Sequence, residues 1–164
     1  MTFEEFAQTR LPALLRYAVA LTGERGLAED VVQEVLVRVH ARWRSVESLD
    51  QPDAYVRRMV VNEYLSWRRR WARFVPSASV SPPEPDTPDH ATRHADRDAL
   101  RAELGRLPAR QRAVLVLRYY EGLTDPEIAE VLGCGASTVR GYATRALATL
   151  RVDPRTRDLV TEDR

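Results

Sequence analysis

The chain has 164 residues, 44% of them hydrophobic and 30% charged, which suits one ordinary domain or two small ones. Its formal net charge is only +1, which excludes a global attraction to nucleic acid, although each of its 25 Lys or Arg positions holds arginine. The single cysteine, Cys134, excludes an intramolecular disulfide and is typical of a protein of the reducing cytoplasm.

The amino-terminal segment MTFEEFAQTR is acidic and has no long apolar run, so it predicts a helix rather than a signal peptide. Thr2 and Glu5 have the spacing of a capping box, and Gly23 is a plausible helix end. Pro12 either kinks this helix or starts a new one. Nowhere does the chain approach the roughly 20 apolar residues of a membrane span, so no membrane insertion is expected.

A second helix is predicted over about residues 26–44 from an apolar repeat of four residues, which predicts one buried face. The repeat consists of Leu27, Val31, Val35, Val39 and Trp43. Acids cluster near its start, at Glu24, Glu29, Asp30 and Glu34. Their simplest interpretation is that they complement the positive end of the helix dipole.

The third helix is predicted to follow the polar loop RSVESLDQPDAY, to begin near Pro52 and to end at about Phe74. Its apolar stripe comprises Val56, Val60, Tyr64, Trp67, Trp71 and Phe74. Both tryptophans of this stripe are therefore expected in the core or at its edge.

The opposite stripe of this helix is polar and comprises Arg58, Asn62, Ser66, Arg69 and Arg73. Between Arg57 and Arg73 there are six arginines and one acid, Glu63. Such a stripe is either a solvated face or a nucleic-acid surface, and the amide of Asn62 could pair with a base edge.

A Pro-, Ser- and Asp-rich segment, PSASVSPPEPDTPDHATRH, then interrupts the helical pattern and is predicted to be a flexible tether. The sequence thus predicts an all-α fold of two small helical domains joined by a flexible Pro-rich linker. We assign residues 1–74 to the first domain, 75–96 to the linker, 97–151 to the second domain and 152–164 to a polar tail.

The second domain contains the spacing of a helix-turn-helix in TDPEIAEVLGCGASTVRGYATRALATLR. A helix is predicted from Ala109 to about Glu121, and two more helices lie between Thr124 and Arg151. Small Ala129, Gly133 in the turn and apolar Val139 fit the close crossing of two helices. The buried side is predicted to comprise Ile128, Leu132, Val139, Ala143 and Leu147.

The outer side of the last helix could enter a major groove, because it carries hydroxyl and guanidinium groups and no acid. These residues are Ser137, Thr138, Arg140, Thr144 and Arg145. A generic helical hairpin with solvated arginines is the simpler alternative. Cys134, in the turn, is expected to be a small buried residue rather than a redox or metal site.

Two such domains on a Pro-rich tether resemble the extracytoplasmic-function (ECF) sigma factors of bacterial RNA polymerase. AEDVVQE is similar to the family's polymerase-binding segment, and DAYVRRMVVNEYLSWRRR is similar to its −10-recognition helix. LPARQRAVLVLRYYEGLTDPEIAEVLGCGASTVRGYATRALATLR is similar to its −35-binding domain. The resemblance covers about residues 3–151.

This resemblance implies core RNA polymerase and promoter DNA as partners, no cofactor and, as for many relatives, an anti-sigma factor. It implies that the polymerase's clamp helices would contact Asp30, Gln33 and Glu34. The −10 DNA would meet Arg58, Asn62, Ser66, Arg69, Arg70 and Arg73, and the loop 45–53 would hold a flipped base. The −35 DNA would meet Ser137, Thr138, Arg140, Thr144 and Arg145.

Two departures from the family pattern leave the −35 base contacts open. Gly135, Ala136 and Ser137 stand where the family has Ser, Glu and Gly, and Gly141 and Tyr142 stand where it commonly has Ser and Arg. Glycine inside a helix costs about 1 kcal/mol relative to alanine, so Gly141 predicts a close approach to DNA.

Two other classes of protein fit the sequence less well. An operator-binding regulator would share the helix-turn-helix but would leave the acidic second helix and the arginine stripe unexplained. An enzyme would need a catalytic or metal site. His90 and His94, near Asp86 and Asp89, have a spacing that could bind a metal, but their segment lacks the order that holds metal ligands in place. No nucleophile–base pattern or phosphate-binding glycine loop is present, so no catalysis is predicted.

Overall fold

The computed structural model describes residues 1–74 and 94–151, and within these ranges every regular element is a helix. The chain divides into two compact units, one containing the first four helices and the other containing the rest. The predicted all-α fold with two helical units is thus confirmed. Most of the predicted tether and the predicted tail lie outside the described residues, so the tether's flexibility and the exact domain limits stay predictions.

The first unit contains four helices, α1 (Phe3–Thr22), α2 (Arg25–Ala41), α3 (Trp43–Glu47) and α4 (Pro52–Phe74). Helix α1 packs against both α2 and α4, and α2 packs against α4. The core between them is built from aliphatic and aromatic side chains that are at most 3% exposed. They include Phe6, Leu14, Tyr17, Leu21, Val31, Val32, Val35, Val39, Val56, Val60, Val61 and Tyr64.

Local capping explains where α1 begins and ends. The Thr2 hydroxyl accepts from the Glu5 backbone N–H (3.2 Å), and the Glu5 carboxylate accepts from the Thr2 N–H (2.8 Å). This backbone hydrogen bond lowers the pKa of Glu5. Gly23 adopts a φ of 76° and ends the helix, and Pro12 lies inside a single helix. The predicted caps are confirmed.

The predicted loop after α2 is shorter than expected. Helix α2 ends at Ala41, and the short helix α3 follows after Arg42, so only residues 48–51 of the predicted loop are non-helical. Two interactions stabilise α3: the Val46 N–H donates to the Arg42 carbonyl (3.1 Å), and the Val46 side chain is buried. The prediction of a continuous polar loop is therefore wrong, because Val46 belongs to the core.

The two tryptophans of α4 are less buried than the helical stripe predicted. Trp67 is half-buried, and Trp71 is 41% exposed and stacks on Trp67, with ring centroids 6.1 Å apart. Buried positions on α4 end at Leu65, so the last two turns have no core to face among the described residues. The core or core-edge assignment is therefore wrong for Trp71.

The second unit contains α5 (His94–Arg106), α6 (Ala109–Leu115), α7 (Asp125–Leu132) and α8 (Ala136–Arg151). A π-helical turn, Val116–Tyr120, continues α6. The helix predicted over 109–121 is therefore α-helical only in its first half. Gly122, with a φ of 67°, then reverses the chain toward α7, as expected.

A buried arginine holds α5 against α6. Arg112 is 4% exposed, and its Nη1 donates to the carbonyls of Leu104, Gly105 and Leu107 (3.2–3.3 Å). The last carbonyls of a helix have no partner within the helix and carry its negative end. Arg112 therefore donates hydrogen bonds to the carbonyls at the end of α5, a role that the sequence did not predict.

Helices α7 and α8 form the predicted helix-turn-helix. Ala129 and Val139 are buried where the helices cross, and Gly133 adopts a φ of 64° at the turn. Four of the five residues predicted for the buried side are buried: Ile128, Leu132, Val139 and Ala143. The fifth, Leu147, is half-buried. Cys134, expected to be buried, is half-buried in the turn.

Candidate nucleic-acid and protein interfaces

Helix α2 presents an acidic face, which we define as Asp30, Gln33 and Glu34. These positions are three and four residues apart, so they share one side of the helix, and all three are exposed. Asp30 makes no ion pair with any described residue. Glu34 pairs with Arg38 (3.0 Å), and this hydrogen bond is the largest cause of a raised Arg38 pKa.

An apolar groove of about 470 Å³ lies beside the acidic face, between α1 and α2. Its lining comprises Phe3, Ala7, Leu11, Leu15, Glu29, Val32, Gln33, Leu36, Val37 and His40. Val37 is 61% exposed and Leu11 is 38% exposed, so the apolar wall is open to solvent. A groove with acids at its edge suits an amphipathic helix with basic residues. The four-residue repeat did not reveal it, because Leu36 and Val37 lie off that repeat.

Helix α4 presents an arginine face, which we define by the six residues predicted to meet −10 DNA. They are Arg58, Asn62, Ser66, Arg69, Arg70 and Arg73. All are exposed except Ser66, which is half-buried. Their spacing places them along one side of the helix, so several guanidinium groups could meet one nucleic-acid strand.

The arginines of α4 differ in how firmly they are held. Arg69 and Arg73 make no ion pair with any described residue. Arg70 donates from Nη2 to the carboxylate of Glu63 (2.8 Å) and from Nη1 to the Ser66 hydroxyl (3.1 Å). Arg57, beside the face, is paired with Asp53 at the start of the helix. The arginine face therefore combines two arginines that no described residue pairs with, Arg69 and Arg73, and one, Arg70, whose guanidinium is held by Glu63 and Ser66.

Helix α8 presents a recognition face, which we define by the five residues predicted to meet −35 DNA. They are Ser137, Thr138, Arg140, Thr144 and Arg145, and all are exposed. The backbone of Gly135 begins the helix, because its carbonyl accepts from the Val139 N–H (3.1 Å). Val139 is buried on the opposite side and fixes the orientation of the face.

Gly141 and Tyr142, which depart from the family pattern, both contact Arg145. Its Nε donates to the Gly141 carbonyl (3.2 Å), and its guanidinium carbon lies 5.2 Å from the centre of the Tyr142 ring. The Arg145 side chain thus lies along its own helix and would have to swing outward to reach a base. The spacing of Tyr142 and Arg145, three residues apart, was the signal for this contact in the sequence.

Gly141→Ala is expected to raise the free energy of unfolding of the second unit by about 0.5–1 kcal/mol, since it removes a glycine from a helix interior. A Cβ at this position would lie 3.5 Å from Arg145 Nη2, an ordinary contact. If DNA approaches the backbone here, the same variant will bind −35 DNA more weakly. Chemical unfolding and a DNA-binding titration measure the two effects.

Gly105→Ala is the matched control for this prediction. Gly105 lies in the last turn of α5, and a Cβ added there would meet nothing within 4 Å. It should leave DNA binding unchanged. Equal DNA binding by Gly141→Ala and the wild type would remove the argument for a close approach at Gly141.

Residues 1–74 and 94–151 contain neither a cluster of metal-ligand side chains nor a membrane-spanning helix. No three His, Cys, Asp or Glu side chains of these ranges come together as metal ligands would. No helix in them is both long enough and apolar enough to span a bilayer. The histidine pair predicted not to bind metal is not tested, because His90 lies outside the described residues.

Comparison with known proteins gives matches over both units. The family model described as sigma-70 region 2 matches residues 6–74, and that described as sigma-70 region 4 matches residues 97–150. The RNA polymerase sigma-E factor of Streptomyces coelicolor is 39% identical over 160 residues, which cover 97% of this chain and 89% of that protein. The ECF RNA polymerase sigma factor SigL of Mycobacterium tuberculosis is 38% identical, over 82% of this chain and 80% of its own.

Among solved structures, the chain is similar to one in the co-crystal structure of the sigma factor RpoE with the anti-sigma factor NepR from Bartonella quintana. The two are 25% identical, with a TM-score of 0.62. The similarity covers 99% of this chain and 98% of the other.

Proposed function

The chain belongs to the extracytoplasmic-function sigma factors of the sigma-70 family, and we propose that its three exposed faces divide the work of promoter recognition. The acidic face of α2 binds core RNA polymerase, the arginine face of α4 binds the −10 element, and the recognition face of α8 binds the −35 element. The observation that carries the proposal is that every predicted contact residue except Ser66 is exposed on these helices.

The acidic face and the neighbouring groove suit one polymerase surface. A basic amphipathic helix could place its apolar side in the groove and its cations against Asp30 and Glu34. The exposed Val37 adds apolar area that a partner would remove from water. We therefore propose the clamp helices of the polymerase's largest subunit as the occupant of this groove.

The arginine face suits the −10 element because its exposed guanidinium groups can bind phosphates, which are the main source of affinity for DNA. Asn62 lies between them with a carboxamide that can pair with an adenine edge. The family resemblance implies that the loop 45–53 holds a flipped base, and residues 48–51 are its non-helical part. We therefore propose that these four residues contact the flipped base.

The recognition face suits the −35 element because a helix of this width fits the major groove. Ser137 and Thr138 lie in the first turn of α8, where recognition helices commonly contact base edges. Arg140 lies next along the exposed side and can bind either a guanine or a phosphate. Arg145 must first leave Tyr142, so we assign it a phosphate role.

The operator-binding alternative is not favoured, since a regulator of that kind needs neither the acidic face nor the arginine face. We expect no covalent chemistry from this chain and a place of action in the cytoplasm, with the polymerase. An anti-sigma factor stays a predicted partner, and the solved complex of RpoE with NepR supports that prediction.

Run-off transcription tests the proposal. The purified chain is added to core polymerase on fragments of its own genome, and discrete transcripts should depend on both proteins. Fragments that support initiation identify the promoters, and their shared −10 and −35 sequences follow from alignment. If no fragment supports initiation, although the chain is folded, the proposal fails.

Arg69→Ala combined with Arg73→Ala is expected to weaken promoter opening and to reduce its salt dependence. Each lost phosphate contact lowers the slope of log affinity against log salt by about 0.7–0.9, so the double variant should lose about 1.5. Titrations of the holoenzyme on one promoter between low and high salt give this slope. Arg16→Ala with Arg25→Ala removes two exposed arginines of α1 and α2 and should leave the slope unchanged.

A further inference from the structure

A buried carboxylate lies beneath the arginine face of α4. Glu63 is only 6% exposed, and both of its oxygens are paired. Its Oε2 lies 2.8 Å from Arg38 Nη1 on α2, and its Oε1 lies 2.8 Å from Arg70 Nη2 on α4. Burying a charge is costly unless it is fully paired, so this arrangement demands that both arginines stay in place.

Arg70 is held at two points and still reaches solvent. It follows Glu63 by two helical turns, and its Nη1 also donates to the Ser66 hydroxyl (3.1 Å). Its side chain nevertheless remains 52% exposed. A guanidinium has five N–H donors in a rigid fork, so donors remain for a ligand beyond these two contacts. Among the predicted −10 arginines, this is the one whose orientation the described contacts restrict.

We propose that Glu63 is a positioning residue that holds Arg70 ready for a backbone phosphate of −10 promoter DNA. The inference rests on the function proposed above for the arginine face. An arginine that is already ordered loses less conformational entropy when it binds. Arg38 completes the arrangement, because it pairs with the second oxygen of the buried carboxylate while it also pairs with Glu34 on its own helix.

The two possible roles of Glu63 predict opposite effects of Glu63→Gln on DNA affinity. If Glu63 were only an acid near DNA, Glu63→Gln would remove a repelling charge and tighten binding. If Glu63 orients Arg70, Glu63→Gln should weaken binding about three- to fivefold, the cost of ordering one long side chain. Arg70→Ala should weaken binding about tenfold, as expected for a charged hydrogen bond. In the Glu63→Gln background, Arg70→Ala should then have a smaller effect.

The probe is a labelled fork-junction DNA made from a promoter that the wild-type holoenzyme transcribes. Its affinity is measured for the four holoenzymes of this double-mutant cycle at saturating core polymerase. Equal or tighter binding by Glu63→Gln, or effects of the two changes that add fully, would overturn the proposal. Tryptophan fluorescence on unfolding checks that the first unit of each variant is folded, since all three tryptophans lie there.

Arg70→Lys tests the same proposal without replacing Glu63 itself. Lysine keeps the charge but lacks the rigid fork that can meet Glu63, Ser66 and a phosphate at once. It should therefore bind the probe like Arg70→Ala. Full affinity with lysine would show that charge alone suffices, and the positioning role would be wrong. If the wild-type holoenzyme transcribes no promoter, the proposed function fails instead.

Discussion

Arg112→Met is expected to lower the free energy of unfolding of the second unit by about 1.5–3 kcal/mol, the range for hydrogen bonds to a charged group. Methionine keeps most of the apolar stem but leaves the carbonyls of Leu104, Gly105 and Leu107 without this donor. The Leu104 carbonyl would still accept from the Leu107 N–H (3.1 Å), but the carbonyls of Gly105 and Leu107 would lose the charged donor that reaches them from α6. Guanidinium unfolding of the full chain, followed by far-ultraviolet circular dichroism, measures the change.

Tryptophan fluorescence separates the two units in that experiment. Trp43, Trp67 and Trp71 all lie in the first unit, so its transition should not move in Arg112→Met. Arg106→Met is the matched control, because the Arg106 side chain is 71% exposed and pairs with Glu103 of its own helix rather than with the helix end. Equal stability of the two variants would mean that water replaces the Arg112 hydrogen bonds without cost.

Asp30→Arg is expected to weaken binding to core polymerase by about 100-fold, since like charges across an interface cost several kcal/mol. Asp30 is exposed and makes no ion pair with any described residue, so its replacement should not disturb the unit. Fluorescence anisotropy of a labelled chain titrated with core polymerase measures the affinity. Promoter opening should fall in parallel at low enzyme concentration and recover at high concentration.

Glu4→Arg is the control for this charge reversal. Glu4 is an exposed acid in the first turn of α1, outside the acidic face. It changes the net charge of the chain by the same amount and should change the affinity little. A similar loss in both variants would point to a general charge effect rather than a contact at Asp30.

Helix ends were predictable from the sequence because capping is a local interaction. Thr2 and Glu5 satisfy each other's backbone donors three residues apart, and Gly23 and Gly133 accept the positive φ that ends a helix. None of these contacts requires knowledge of a distant part of the chain. The helix-turn-helix was predictable for the same reason, since Ala129, Gly133 and Val139 lie within a few turns of one another.

Burial beyond a helix's own face was not predictable in this way. Periodicity assigned Trp71 to the apolar stripe, but α4 extends past its core, and the side chain is 41% exposed. The polar segment RSVESLDQPDAY was likewise predicted to be a loop, although its Val46 lies on α3 and is buried. Both outcomes depend on where neighbouring helices end, which the spacing of residues within one helix does not contain.

By itself, the sequence determined the helical class, most helix ends and which sides of α2, α4 and α8 carry exposed polar residues. These features follow from side-chain spacing and from hydrogen bonds between residues a few positions apart. Only the tertiary structure decided that Arg112 is buried, that Glu63 bridges Arg38 and Arg70, and that a groove opens between α1 and α2. A charged side chain is buried only where other elements supply its partners, and those partners lie on other helices or several turns away.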